Sequence, residues 1–315
     1  MAGSKPPPHP ITSAASVVRL YVLLLREPRL RRPYLRLLRT IFRTYFLPQF
    51  RRKPGHVKVR LDLALDALVP FDPTWLPCYL GFVRLWVGSL GWLHRRFGDR
   101  ALPEMVGFVA GLERLFLEAS RIFSVHDSTL SSRPGPHAHP DSLVIHLTDR
   151  NSFCFPSLHV MIVRFNARWL AGALDRLGGP DGPFAAEKSF LEERSARIIE
   201  SIIHVKQHSL SDIPAGLFLL HAAGVSGAYA PLAGKGEAAG LAATLADDYK
   251  FMESLFRAPE QADCGESIRA FMQDMYLRLH GSRSAGKAAH EVLLEFLGDY
   301  EREVGVPLHT GDSRR

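Results

Sequence analysis

The sequence predicts an all-α protein, folded as a helical bundle with a C-terminal helical extension. Apolar residues recur at helical spacing through most of the chain, and no segment shows the alternation of apolar and polar residues that is typical of a strand. The chain has 315 residues, of which 46% are hydrophobic and 23% charged, and this suffices for a sizeable core. A mean hydropathy of -0.02 argues against a polytopic membrane protein.

The N-terminal part of the chain contains a strongly basic segment. Residues 19–53 carry eleven arginine and lysine residues against one acid, Glu27, whereas the whole chain has a net charge of +7. Leu, Ile, Tyr and Phe lie between these arginines at near-helical spacing, with interruptions at Pro28 and Pro33. The segment is therefore amphipathic as well as basic.

Three interpretations of this basic segment follow from the same physics. It packs on the core with a solvated cationic face, it lies on an anionic membrane surface with its apolar side chains in the acyl boundary, or it binds nucleic-acid phosphates. The high aliphatic content favours lipid over nucleic acid, so we expect an anionic membrane surface as a partner and no nucleic acid.

The cysteines and the N-terminus bear on the compartment. Cys78, Cys154 and Cys264 are widely spaced and odd in number, so they form neither a disulfide framework nor a CxxC metal site, and they fit a reducing compartment. The first ten residues are polar and proline-rich and lack the apolar stretch of a secretory signal. We expect a membrane-associated protein, with a soluble cytoplasmic protein as the alternative.

The first predicted core helices follow a proline-rich stretch at residues 69–77. Residues 78–96 read as a helix, and although 75–93 is apolar, Arg84 in its middle favours a buried bundle helix over a membrane span. Residues 102–125 carry Glu104, Glu113, Arg114 and Glu118 among apolar residues at helical spacing and predict an amphipathic helix with a wet face. A loop rich in Pro, Ser and His is expected from Asp127 to Arg150.

Start and stop signals define the next helices. Ser157 is a plausible N-cap for a helix over 158–177, which the glycines and prolines of 178–183 end. A second helix is expected over 184–207. Ser211, Asp212 and Pro214 resemble a fresh helix start that leads to about Leu232, so the chain is expected to turn near His208.

Three shorter helical patterns follow residue 234. The clearest has apolar residues from Ile268 to Leu279 at helical spacing. These elements suggest a basic amphipathic N-terminal region at 1–68, a helical core at 69–235 and a C-terminal helical extension at 236–315.

Three short motifs carry the chemistry. They are Arg133-Pro134, the sequence FPSLHV from Phe155 to Val160, and SIIHVKQHSLSD from Ser201 to Asp212. Their order and spacing resemble the type 2 phosphatidic acid phosphatase and vanadium haloperoxidase superfamily, with its motifs K-x6-R-P, P-S-G-H and S-R-x5-H-x3-D. The variants F-P-S-L-H-V and K-Q-H are most similar to the inositol phosphorylceramide synthase-like branch, and the likeness covers residues 69–232.

The resemblance implies a fold and an activity. The fold would be the helical bundle of that superfamily, and the chain would be a hydrolase or phosphotransferase acting on phosphoric ester bonds. Its expected substrate is a phosphorylated lipid or another amphiphilic phosphoester. His208 would attack phosphorus and form a phosphohistidine, Asp212 would fix the tautomer of His208 and stabilise the cation that forms, and His159 would protonate the leaving alkoxide.

The same resemblance implies how the phosphate is held. Its negative oxygens must be neutralised before a nucleophile can approach in line. Arg133 and Lys206 would supply cations, while the Ser157 hydroxyl and the backbone N–H groups at the following helix start would add donors. No metal and no other cofactor is required.

Three departures from the family motifs matter. His126 stands where the first-motif lysine is expected, Leu158 replaces a glycine, and Ile202 replaces the third-motif arginine, a phosphate ligand that Lys206 is expected to replace. These departures also fit a catalytically inactive relative that acts as a lipid-binding or protein-interaction module.

A metal site is a further alternative. His204, His208 and Asp212 are four residues apart and would align three ligands on one continuous helix. The helix-start signals at 211–214 argue for a break instead.

Overall fold

The computed structural model describes residues 9–50, 57–135, 137–148, 152–179, 182–223, 237–283 and 286–304. Throughout these residues the chain is all-α, with one small two-stranded sheet as the exception. The first helices are α1 Ala14–Arg26, α2 Pro28–Ile41, α3 Leu47–Gln49, α4 Leu76–Leu80, α5 Phe82–Phe97, α6 Leu102–Phe123 and α7 Pro140–Thr148. The later ones are α8 Leu158–Gly178, α9 Ala185–His204, α10 Asp212–Ala222, α11 Glu237–Ser254, α12 Ala262–Arg283 and α13 Ala289–Val304.

Helix α8 forms the centre of the bundle. Every residue from Leu158 to Ala167 is buried, and the helix packs against α5, α6, α9 and α10. Most of the sequence LHVMIVRF is apolar, as a helix buried on all sides requires, and its buried Arg164 is paired with Glu192 and Asp247. The first turn of α8, which carries His159, therefore lies on a rigid support.

The N-terminal basic segment packs on this core with one face. Helix α1 lies along α5, and α2 lies along α6. The contact between α1 and α5 is so close that a Cβ atom on Gly91 would lie 1.8 Å from the carbonyl oxygen of Ser16. Within each helix the buried apolar side chains of this face are one turn apart: Leu20 and Leu23 on α1, and Leu30, Tyr34 and Leu37 on α2. The core-packing interpretation therefore describes the buried face, whereas most arginines of the segment lie on the opposite, exposed face; residues 51–53 lie outside the described ranges.

The expectation of no strands is wrong. Strand β1 Val57–Arg60 pairs in parallel with β2 His126–Thr129, with Val57 opposite His126, and Ser128 bridges to Phe153. The sequences VKVR and HDST are too short to show an alternation, and their pairing joins residues 69 positions apart. The loop predicted over 127–150 is correspondingly interrupted by β2 and α7, and its last two residues lie outside the described ranges.

Most predicted helix boundaries are confirmed within a few residues. The predicted helix at 78–96 is divided in the structure into α4 and α5, which meet at Gly81. Helix α10 begins at Asp212 as expected and is described to Ala222, so its predicted end at Leu232 lies outside the described residues. In the described part of the chain after residue 234 there are three helices, as predicted. None of the helices, over the residues described, combines the length and apolar character needed to span a bilayer.

The C-terminal helices pack on the same bundle. Helix α12 contacts α10, and α13 contacts both α10 and α6. Ile268, Met272, Met275, Tyr276 and Leu279 are buried on one face of α12, which confirms its predicted apolar stripe. These helices therefore stabilise α10, at whose start the candidate site lies.

Candidate active site

The FPSLHV motif is held in place by β2 and by the start of α8. The backbone N–H of Phe155 donates to Ser128 Oγ at 2.7 Å, which ties the motif to the strand. Ser157 is the N-cap of α8, and its hydroxyl oxygen accepts the N–H of Val160 at 3.3 Å. This confirms the predicted cap and aims the side chains of Ser157 and His159 towards the turn between α9 and α10.

That turn carries His208. Helix α9 ends at His204, and Lys206 then adopts a left-handed backbone conformation with φ of 54°. The N–H groups of Gln207 and His208 both donate to the carbonyl oxygen of Ile202, at 3.0 and 3.3 Å. The turn predicted near His208 is therefore present, and the continuous helix that the metal alternative requires is interrupted.

Hydrogen bonds define the tautomer of His208. Its Nδ1 lies 2.9 Å from the carbonyl oxygen of Cys154 and 2.8 Å from Oδ2 of Asp212. Because a backbone carbonyl can only accept, the ring proton belongs on Nδ1. The lone pair of His208 is therefore on Nε2, the atom that a nucleophilic role requires.

The Nε2 atom of His208 faces two other predicted site residues. It lies 3.2 Å from Nδ1 of His159 and 3.3 Å from Oγ of Ser157. The ring of His159 in turn lies against Tyr79 and Phe82, with ring centroids 4.7 and 4.4 Å apart. Two motifs about 50 residues apart in sequence thus bring two imidazoles and one hydroxyl to the same point.

Asp212 supports His208 from the protein interior. Its side chain is fully buried, and Oδ2 also accepts the N–H of Ser209 at 3.1 Å. Burial raises the pKa of Asp212 well above its ordinary value, because desolvation penalises the carboxylate. A positive charge that develops on His208, whose Nδ1 lies 2.8 Å from Oδ2, would oppose this rise and favour the ionised carboxylate.

Asp66 anchors the turn, and sequence analysis missed it. Its carboxyl group accepts the Leu210 N–H at 2.8 Å, the Ser209 hydroxyl at 2.7 Å and the Leu63 N–H at 2.8 Å. Burial raises the pKa of Asp66, and the three hydrogen bonds oppose that rise. The one sequence signal is an acid three residues after Leu63, as in the first turn of a short helix.

Lys206 is engaged by the same neighbour. Its ammonium group donates to the carbonyl oxygen of Asp66 at 2.5 Å, which uses one of its three donors. Burial lowers the pKa of Lys206, while the carboxylates of Asp66 and Asp62 oppose that shift. The predicted phosphate ligand is thus a buried lysine with a defined structural contact in the same turn as His208.

Arg133 lies in the loop that follows β2, and it is half-buried. The loop is held by Asp62, whose carboxylate accepts the N–H groups of Ser131, at 2.8 Å, and Ser132, at 3.1 Å. Burial by itself would raise the pKa of Asp62, but the hydrogen bonds from the two serines together lower it. Because β2 also bridges to Phe153, the first and second motifs are connected through the strand.

The remaining residues of the sequence hypotheses have other surroundings. Ile202 is fully buried in the core, and His126 begins β2. The ring of His204 stacks on Trp75, with centroids 4.5 Å apart, and its Nε2 accepts from the Gln261 amide at 2.7 Å. Over the described residues, no group of three or more His, Cys, Asp or Glu side chains is arranged to hold a metal ion.

Comparison with known proteins adds no relative. No family model matches the sequence, and neither a curated protein nor a solved structure matches the chain. Support for a function therefore comes from the chain's own motifs and from the geometry around His208.

Proposed function

We propose that the protein transfers a phosphoryl group from a lipid or other amphiphilic phosphoester to water or to an alcohol, through a phosphohistidine on His208. The observation that carries the proposal is the environment of its ring: Nδ1 is held by Cys154 and Asp212, and Nε2 faces Ser157 and His159. The all-α fold is compatible with the bundle of the type 2 phosphatidic acid phosphatase and haloperoxidase superfamily. The three motifs are the support for placing the chain there.

In the first step, the lone pair of His208 Nε2 forms a bond to phosphorus. The ester P–O bond breaks, and protonated His159 gives its proton to the leaving oxygen. The imidazole ring of His208 becomes cationic, and the hydrogen bond from Nδ1 to Asp212 stabilises that charge. The products of this step are an alcohol, a phosphohistidine and a neutral His159.

In the second step, neutral His159 takes a proton from water or an acceptor alcohol as its oxygen attacks phosphorus. The N–P bond breaks and its electron pair returns to His208 Nε2, which restores both histidines. The Ser157 hydroxyl and the first N–H groups of α8 stabilise the phosphate oxygens, together with the charges of Arg133 and Lys206.

The test uses two substrates with different leaving groups, decyl phosphate and p-nitrophenyl phosphate. His208→Ala should lose at least about a thousandfold in kcat on both, because the nucleophile is missing. His159→Ala should lose about 10²–10⁴-fold on decyl phosphate and much less on p-nitrophenyl phosphate, since nitrophenolate leaves without a proton. His204→Gln is the matched control, since this histidine packs on Trp75, and it should keep wild-type turnover.

Three further outcomes decide between the hypotheses. Vanadate should inhibit, because it resembles the pentacoordinate transition state, and a chelator should not. Abolition by chelator with rescue by Zn²⁺ would favour the metal alternative. Absence of turnover on a panel of phosphorylated lipids, with lipid binding retained, would favour the inactive lipid-binding relative.

We also propose that α2 contacts an anionic membrane. Leu35, Leu38 and Phe42 are 57%, 43% and 58% exposed and lie on one face, flanked by exposed arginines. Apolar side chains can enter the acyl boundary while arginines meet lipid headgroups, at about 1 kcal/mol for each basic residue. Changing both Arg32 and Arg39 to Ser should lower the fraction of protein that sediments with phosphatidylserine vesicles. It should also make that fraction less sensitive to high salt.

Arg278→Ser is the control for this experiment, because Arg278 is also an exposed arginine but lies on α12 and not on α2. Equal sedimentation of the double variant and the wild type would place any membrane contact elsewhere.

A further inference from the structure

An apolar cavity of about 210 Å³ lies beside the candidate site. Four elements form its wall: α2 with the π-helical turn that follows it, and helices α5, α6 and α8. His159 is among the lining residues, and nearly all of the rest are aliphatic or aromatic. We propose that this cavity binds the hydrocarbon chain of the leaving alcohol, an assignment that rests on the proposed function.

The position of His159 indicates which part of the substrate the cavity receives. His208 Nε2 marks the phosphorus position, and His159, which lies 3.2 Å from that nitrogen and also lines the cavity, is the residue proposed to protonate the leaving oxygen. Ile162, one turn after His159 on α8, lines the same wall, as does Phe82, whose ring packs on His159. A carbon chain attached to the leaving oxygen therefore passes directly from His159 into the cavity.

The chemistry of the wall favours hydrocarbon over a polar group. Leu112, Phe116 and Trp86 supply apolar surface without charge, and a polar group placed there would lose hydrogen bonds to water. An apolar cavity of about 150 Å³ stays dry and binds benzene, so scaling by volume allows about eight carbons in this one. Each buried methylene should then raise kcat/KM about fourfold until the cavity is full.

The mouth of the cavity adjoins the exposed face of α2. Leu38 and Val83 line the cavity and are 43% and 44% exposed, so they form its rim. Leu35 and Phe42 lie on either side of Leu38 on the same helix face. A chain longer than the cavity would therefore emerge against apolar side chains, the same ones that would enter a bilayer.

The first arm of the test is direct binding of 1-decanol by calorimetry. Decanol is the alcohol product and carries no phosphate, so its binding does not depend on turnover. Ile162→Trp fills the cavity and should weaken decanol binding at least tenfold. Leu38→Trp narrows the rim at a partly exposed position and gives the same answer if Ile162→Trp fails to fold. Leu277→Trp, at an exposed position of α12 outside the cavity wall, should bind like wild type.

The second arm compares kcat/KM for alkyl phosphates from two to twelve carbons below their micelle concentrations. The wild type should gain about fourfold per methylene and level off near eight carbons, whereas Leu38→Trp should level off at a shorter chain. A flat chain-length series, or decanol binding that neither cavity variant weakens, would overturn the hydrocarbon site and leave the phosphohistidine proposal intact. Turnover lost in His208→Ala would still support that proposal. Decanol binding without turnover of any phosphate would overturn both the function and the leaving-group assignment.

Discussion

Removal of the Asp66 carboxyl group is expected to destabilise the turn that carries His208. In Asp66→Ala, the Leu210 N–H and the Ser209 hydroxyl lose their acceptor, and both residues are fully buried. A buried donor without a partner costs about 1–3 kcal/mol, so the two together cost about 2–6 kcal/mol. The Leu63 N–H is half-buried and can be hydrated, so it adds less. Burial of the Asp66 carboxylate is itself unfavourable, as its raised pKa indicates, and the alanine variant avoids this cost. The net loss of stability is therefore smaller than the sum of the two donors.

Two variants make this prediction specific. Asp66→Asn keeps one acceptor oxygen but replaces the other with a donor, so it should cost about half as much as alanine. Asp72→Ala is the matched control, because Asp72 also caps a short helix, accepting from Thr74 N–H at 2.9 Å, but does so at the surface. Loss of such a cap costs about 1 kcal/mol.

The measurement is urea unfolding followed by circular dichroism at pH 7, with the slope m checked for constancy. Asp66→Ala should lower the free energy of unfolding by at least about 2 kcal/mol, a large fraction of the 5–15 kcal/mol typical of a domain. Because the turn positions His208, Asp66→Asn should also lower kcat about 10²-fold if the imidazole moves by about 1 Å. An Asp66→Ala variant no less stable than Asp72→Ala would refute the reasoning.

Two other predictions concern packing and pH. Gly91→Ala should lower the free energy of unfolding in urea by about 3 kcal/mol or more, because the new Cβ would meet a backbone oxygen of α1. Gly298→Ala in α13 is the control: its Cβ would meet nothing within 4 Å, so the free energy of unfolding should stay the same or rise by up to about 1 kcal/mol. Similar effects of both changes would contradict the close contact of α1 and α5. Burial lowers the pKa of His280 to about 4, below its ordinary 6.5. The neutral imidazole therefore contributes stability that is fully present above pH 6.5 and is lost as the pH falls towards 4. Between pH 7 and pH 5 the free energy of unfolding should fall more for the wild type than for His280→Gln, and equal losses would argue against a neutral imidazole at this position.

Much of the candidate site could be predicted because its signals are local. Ser157 as a cap, the helix start at Asp212 and the turn near His208 each depend on residues within one helical turn of one another. The paired histidines His159 and His208 came from motif order and spacing, and the structure brings their rings to 3.2 Å.

Other features could not be predicted, because they join distant parts of the chain. Asp66 binds Ser209 and Leu210 across more than 140 residues, and nothing near it in sequence indicates that partner. The direction of the Lys206 side chain also depends on Asp66, because the Lys206 ammonium group donates to the Asp66 carbonyl oxygen. The two strands are equally non-local, with a backbone ladder that four-residue sequences do not encode alone.

The sequence by itself determined the helical class and most helix boundaries, because helix periodicity and capping act over three or four residues, and the order and spacing of its motifs paired His159 with His208. The tertiary structure alone decided the tautomer of His208, the anchoring of its turn by Asp66, and the apolar cavity beside His159. These depend on which side chains and carbonyls come together when helices pack, and packing is a property of the whole chain.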